Sequence, residues 1–301
     1  MAALMLASMA AVSSCHAGDL RVCDRQLELT PSQQDKLFRF GSVIKAELAQ
    51  SGQRVALMAR SGTDLSRFGI RYSHAGVSLL ASPDTPWAVR QLYYACDERR
   101  PRIFDQGIAG FLLGTDEPAL GYVSVLLLPP DQAAALERAA LDNAQALQLL
   151  SPHYSANAYP FSQRYQNCNQ WVMELLAAAW SGQAAVPDDP DAAWPPRAQA
   201  QRWLQEQGYM PSEIHVGAPL MWLGLFLPWV HNDDQALDDL HRQVYRVSMP
   251  ASIEAFVRAQ APQATRLEFC HTERQVVVHR GWQPIAEGCQ AGPQDAVIPL
   301  D

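Results

Sequence analysis

The stretch from residue 54 to residue 95 constrains the fold more than any other part of this chain. Residues 54–60 (RVALMAR) read as a strand. A polar loop, 61–69, follows. Residues 70–80 (IRYSHAGVSLL) and 87–95 (WAVRQLYYA) read as two strands joined by the turn Ser82-Pro83-Asp84-Thr85-Pro86. A further apolar strand is predicted at 120–128 (LGYVSVLLL). Helical signals surround these strands. Thr30 fits an N-cap and Pro31 the first helical position, with Leu37, Val43, Ile44 and Leu48 behind them and Ser51-Gly52 as the stop. A short helix is predicted near 105–113. A long Ala/Leu-rich helix is predicted from Pro129-Pro130-Asp131 to about Leu150, then an aromatic loop over 151–167 and a helix over 168–180. Strands and helices in this order describe an α+β module over the first 180 residues.

Residues 182–196 (GQAAVPDDPDAAWPP) are rich in Pro and Asp and read as a linker. Beyond it the pattern predicts a helix at 197–207, a strand at 242–248, a helix at 250–260 and a hairpin at 265–279. The apolar run 219–230 (PLMWLGLFLPWV) is below membrane-spanning length and reads as a buried helix or a loop lining a groove. The expected organisation is a leader at 1–17, a core at 18–181, the linker at 182–196, and an extension at 197–301 that completes or packs on the core.

Residues 2–12 are small and apolar and precede Ser13-Ser14-Cys15-His16-Ala17, a pattern that fits a secretory leader cleaved after Ala17. Val12-Ser13-Ser14-Cys15 also fits a lipobox, with Cys15 as a lipid anchor. Either reading exports the protein to the periplasm or envelope, where disulfides form. Of six cysteines, removal of the leader leaves five, so at least one thiol stays unpaired within the chain or bridges to another. Cys270 and Cys289 flank a strand-turn-strand pattern and are expected to pair. Cys23 with Cys96 is the second expected bridge, which leaves Cys168.

Several function classes are excluded or disfavoured. A net charge of −8 argues against a nucleic-acid partner. Lys36 and Lys45 are the only lysines, so there is no Gly-Lys-Ser/Thr phosphate loop. The chain has no Gly-x-Ser-x-Gly, His-Glu-x-x-His or Cys-x-x-Cys. The eight histidines form no compact ligand set, and neither metal nor cofactor is expected.

Cys168 opens its predicted helix, with Trp171, Val172, Leu175, Leu176 and Ala179 on the same apolar stripe and Asn167 as N-cap. The positive end of a helix dipole favours a thiolate. His74 supplies a partner: Tyr72, His74, Gly76 and Ser78 share one strand face, and Ala75 and Gly76 allow close approach. On the next strand Trp87, Val89, Gln91 and Tyr93 share a face, so Gln91 can reach the far nitrogen of His74 and fix its tautomer. Alone, each residue has a commoner structural explanation, as a buried inert thiol or a core histidine. It is their combination that points to nucleophilic chemistry.

Tyr72-Ser73-His74-Ala75-Gly76-Val77 resembles the His-x-Gly strand of papain-like NlpC-type cysteine hydrolases. Asn167-Cys168-Asn169-Gln170-Trp171-Val172 resembles the Asn-Cys helix start of their circularly permuted branch, which includes the lecithin:retinol acyltransferase-like proteins. There too the histidine precedes the cysteine. Most of the chain also resembles an uncharacterised family of exported bacterial proteins. The resemblance implies a papain-like, circularly permuted antiparallel sheet packed on helices. It further implies Cys168 as nucleophile, His74 as base and Gln91 as orienting residue. The Cys168 amide, with Asn167, Asn169 and Gln170, is expected at the oxyanion or in support of it. The third position is often His in that branch; Gln91 departs from this and weakens the case for strong base activation. The expected substrate is a cell-envelope peptide or lipid acyl group; the alternative is a catalytically silent envelope binding or assembly protein.

Overall fold

The computed structural model describes residues 29–182, 195–224 and 226–300. The expected leader at 1–17, Cys15, Cys23 and most of the linker, residues 183–194, lie outside the described residues. In chain order the elements are α1 (Pro31–Gln50), β1 (Val55–Arg60), β2 (His74–Leu79), β3 (Ala88–Ala95), β4 (Arg100–Gln106), α2 (Ile108–Leu112) and β5 (Gly121–Leu127). Then come α3 (Pro130–Leu141), α4 (Asn143–Gln148), α5 (Cys168–Trp180), α6 (Pro196–Glu206), β6 (Ser212–His215) and α7 (Gly217–Gly224). The last are α8 (Leu237–His241), β7 (Val244–Val247), α9 (Pro250–Gln260), β8 (Thr265–His271), β9 (Gln275–Arg280) and β10 (Ala296–Pro299).

Among the described residues eight strands form one antiparallel sheet in the order β10-β9-β8-β5-β1-β2-β3-β4. The protein is thus α+β, with β1 near the middle and the C-terminal strands continuing the same sheet beyond β5. Alternation along β1 sends Val55, Leu57 and Ala59 to one face, against Trp171, Val172 and Leu175 of α5 and Leu136 of α3. Ala56 and Met58 go to the other face, against Phe40 and Ile44 of α1 and Phe111 of α2. With helices on both faces, β1 and β2 are buried along their whole length, as their nearly unbroken apolar sequence requires.

Local chemistry explains where the elements depart from the sequence pattern. The helix predicted to Leu150 breaks at Asp142, whose side chain accepts the Ala144 and Gln145 N–H groups and caps α4 afresh. The helix predicted near 105–113 is shorter than expected, because residues 100–106 pair with β3 as β4; Arg100, Arg102 and Asp105 gave that edge strand no apolar signal. The strand predicted from residue 70 begins only at His74. Tyr72 therefore does not share the His74 face. It packs in the α5-side core and donates its hydroxyl to Glu268.

Cys270 and Cys289 form a disulfide, with their Cα atoms 5.6 Å apart. Cys96 is also disulfide-bonded. Disulfides fit an oxidising compartment. Among the described residues no helix is long and apolar enough to cross a membrane.

Candidate functional site

Cys168 is a free, buried thiol at the first residue of α5. Asn167 caps the helix by accepting the Gln170 N–H at 2.7 Å. The first-turn amides have no partners within the helix, and the backbone N–H groups of Asn169, Cys168 and Ala75 act to lower the thiol's pKa. The Asn169 side chain donates to the Ser73 carbonyl at 3.1 Å. The backbone just before His74 is thereby tied to the start of α5.

His74 projects to the α1/α2 face of the sheet, stacked on Tyr93 with ring centroids 4.7 Å apart and near Phe111 at 5.9 Å. Its Nε2 lies 2.8 Å from Gln91 Oε1. Gln91 Nε2 in turn donates to Gln106 Oε1 at 2.8 Å. Because the Gln91 amide nitrogen is committed to Gln106, its oxygen must face the imidazole. His74 then carries its proton on Nε2 and keeps Nδ1 free as a base. Gln106 was invisible as a site residue because β4 itself was.

Cys168 and His74 line one cavity of about 600 Å³. Among the described residues no hydrogen bond joins the thiol to the imidazole: Cys168 packs in the α5-side core, whereas His74 lies against Tyr93 and Phe111 on the other face of the sheet. Burial pushes the thiol up to about 11, against the opposing pull of the Asn169 N–H and the Arg60 charge. Burial, and then Arg60, push His74 down to about 3, while the Gln91 bond acts in the opposite sense. The resting pair is a neutral thiol and a neutral imidazole.

The other expected site residues separate. Asn167 and Asn169 line the cavity. The Asn167 amide is spent on the cap and on the Ala156 and Ser248 carbonyls. Gln170 turns away from the cavity to Pro160 O and Glu174 Oε1. There Glu174, fully buried, is held by Arg197 at 2.8 Å and by Gln166 and Gln201. This network fastens α5 to α6 and to the loop before it. The side-chain amides of Asn167 and Gln170 are thus spent elsewhere, which leaves backbone N–H groups at the start of α5 for an oxyanion.

The described residues of the apolar run 219–230 form a cavity wall, and its helical part, in α7, is not buried as a helix. Leu220, Leu227, Trp229 and Val230 face the cavity, while Trp222 and Phe226 are 67% and 68% exposed. Among the described residues no cluster of His, Cys, Asp and Glu could hold a metal. Two further residues escaped the sequence reading. Tyr154 is buried on the cavity and stacked on Tyr94 at 5.1 Å. Arg60 ends β1 directly opposite His74. Each lay inside a segment read only as a strand or a loop.

An antiparallel α+β sheet with a free helix-start cysteine and a strand histidine on one cavity is the class that the geometry defines. Residues 47–257, which span all of these side chains, match the family described as uncharacterized proteins conserved in bacteria (DUF2145), and the chain belongs to that family. No curated protein and no solved structure matches the chain.

Proposed function

We propose that this protein is an exported thiol hydrolase or acyltransferase of papain-like, circularly permuted build, acting on an amide or ester of the cell envelope. The observation that carries this reading is the shared cavity. On it lie a free thiol at a helix start and an imidazole whose outer nitrogen is held by Gln91. In the reaction, Cys168 Sγ gives its proton to His74 Nδ1 by way of a water in the cavity they share, since the two side chains lie on opposite faces of the sheet, and attacks the substrate carbonyl. Backbone N–H groups of the first turn of α5 take the developing oxyanion. The C–N or C–O bond breaks, and the amine or alcohol leaves with the proton returned by His74. Water or an acceptor alcohol or amine then displaces the acyl group from sulfur and restores the thiol. The apolar wall built by Leu220, Leu227, Trp229 and Val230 favours an acyl or otherwise apolar portion in the substrate.

The second reading, an inactive binding protein on the same fold, is favoured by the neutral resting pair and by the lack of a thiol–imidazole hydrogen bond. A 4-nitrophenyl acyl ester separates the two. The hydrolase reading expects a burst of nitrophenol and an acyl mass on the Cys168 peptide, absent in Cys168→Ala. In His74→Ala the acylation rate should fall by roughly a hundredfold or more. No adduct, or an adduct formed equally fast without His74, would leave the binding reading standing.

A further inference from the structure

Among the described residues Arg60 is the one deeply buried arginine that lines the cavity, and its surroundings are incomplete. As the Cα partner of His74 across β1 and β2, it leaves the sheet on the same face. The residue is only 4% exposed. Nη2 donates to Tyr93 Oη at 2.9 Å, and Nη1 to the carbonyls of Gly114 and, at 3.4 Å, Ser61. The guanidinium also lies over the Phe111 ring, 5.2 Å from its centroid. Every one of these partners is neutral. Nε is buried and has no hydrogen-bond partner. Other buried arginines have carboxylates: Arg90 has Asp105 at 2.6 Å, Arg197 has Glu174 at 2.8 Å, and Arg266 has Glu268 at 3.1 Å. Asp116, also on the cavity, accepts the Asp64 N–H.

The position is nevertheless built for a guanidinium. A Cβ at Gly114 would fall 2.8 Å from Arg60 Cζ, and one at Gly62 would fall 3.3 Å from it. Two residues without side chains therefore make room for the group. A buried cation without a counter-charge is destabilising unless an anion reaches it. Arg60 lines the cavity shared by Cys168 and His74, so that anion can come with the substrate.

We infer that Arg60 is an anion-recognition residue of the Cys168 site, and that the substrate carries a carboxylate or phosphate close to the carbonyl that Cys168 attacks. This rests on the thiol-enzyme reading and narrows its substrate class to anionic acyl or peptidyl compounds. The guanidinium supplies a charge-assisted donor pair that orients the anion, while the apolar wall takes the rest of the molecule.

The test compares alkylation of Cys168 by iodoacetate and by iodoacetamide, near-isosteres that differ in charge, read on the Cys168 peptide by mass spectrometry. The ratio of the two rates cancels any change in thiolate population. We expect the iodoacetate-to-iodoacetamide ratio to be about tenfold or more higher in the folded protein than in the urea-unfolded chain. Arg60→Gln should return it to the unfolded value, and Arg60→Lys should keep part of it. A folded ratio equal to the unfolded one would overturn the inference. N-acetylglycine and glycerol 3-phosphate, at constant ionic strength, then serve as competitors in the wild-type protein, so the answer does not depend on a variant folding. Protection by the first assigns a carboxylate and protection by the second a phosphate; protection by neither refutes the subsite. If the thiol resists both reagents, a rise in wild-type Tm with either anion over chloride supports the subsite, and no rise refutes it. The ester assay fails separately: an anion preference without acylation keeps the subsite and removes the hydrolase.

Discussion

The protonation state of Cys168 decides how the site must work, and the pH dependence of its alkylation reads that state directly. With the folded thiol at about 11, about one molecule in ten thousand carries a thiolate at pH 7. The rate with iodoacetamide should then rise about tenfold per pH unit and keep rising between pH 9 and 10. An exposed thiol, ionising near 8.5, would be nearly flat over that last interval. Stopped-time labelling with peptide mapping gives the profile. His74→Ala should leave it unchanged, because the resting imidazole is neutral. Arg60→Gln should move the rise to still higher pH, because the Arg60 charge holds the thiol down. The same shift enters stability. The folded value lies above the reference of 9.0, so the thiol's contribution is complete below 9 and is lost as pH rises through 11, about 3 kcal/mol in all. Labelling at high pH must therefore be brief. A plateau already reached by pH 7 would refute the reasoning, since it would mean a resting thiolate–imidazolium pair in which burial is not the dominant influence.

His74 predicts an acid limb. Its folded value of about 3 lies below 6.5, so stability is full above 6.5 and falls by about 5 kcal/mol as pH drops toward 3. Urea titrations at pH 4 to 7 should show this slope, and His74→Leu should flatten it. His271, pushed down to about 4 chiefly by burial, adds a slope of the same sign. Gly114→Ala should displace the Arg60 guanidinium and destabilise by about 1–3 kcal/mol; a Tm unchanged from wild type would show the cradle to be loose. Arg197→Ala strands the buried Glu174 carboxylate and should cost about 3–5 kcal/mol in urea unfolding, with Arg197→Ala/Glu174→Leu recovering much of it.

The sheet's inner strands were legible because β1, β2 and β5 are buried on both faces, which demands apolar runs. The β4 edge was not, since a strand whose residues pair at a sheet margin tolerates arginines and asparagine-like polarity. Period-two alternation was enough to place Gln91 beside His74, and it correctly set Tyr93 on the same face. It failed at Tyr72, where the strand had not yet begun. The helix-start position of Cys168 followed from the Asn167 cap and the apolar stripe. The neutral state of the thiol did not, because its burial comes from tertiary neighbours such as Tyr154 and from the packing of α5 on β2 and β3. Arg60 closes a strand whose apolar run drew all the notice. Its lack of a carboxylate is a property of three-dimensional neighbours that no spacing rule encodes.

The order of the sheet also bears on how the chain tolerates being cut. Strand β5 gives its outer edge to β8, with seven residue pairs from Gly121↔His271 to Leu127↔Thr265. A fragment ending at the Pro- and Asp-rich stretch after α5 would keep Cys168, His74, Gln91 and Arg60, yet leave β5 as a bare apolar rim. Such a rim recruits strands from other chains. The last forty or so residues therefore act as a chaperone built into the polypeptide: they shield the edge of the strand that flanks β1, and cleavage within residues 183–194 should yield two pieces that stay associated.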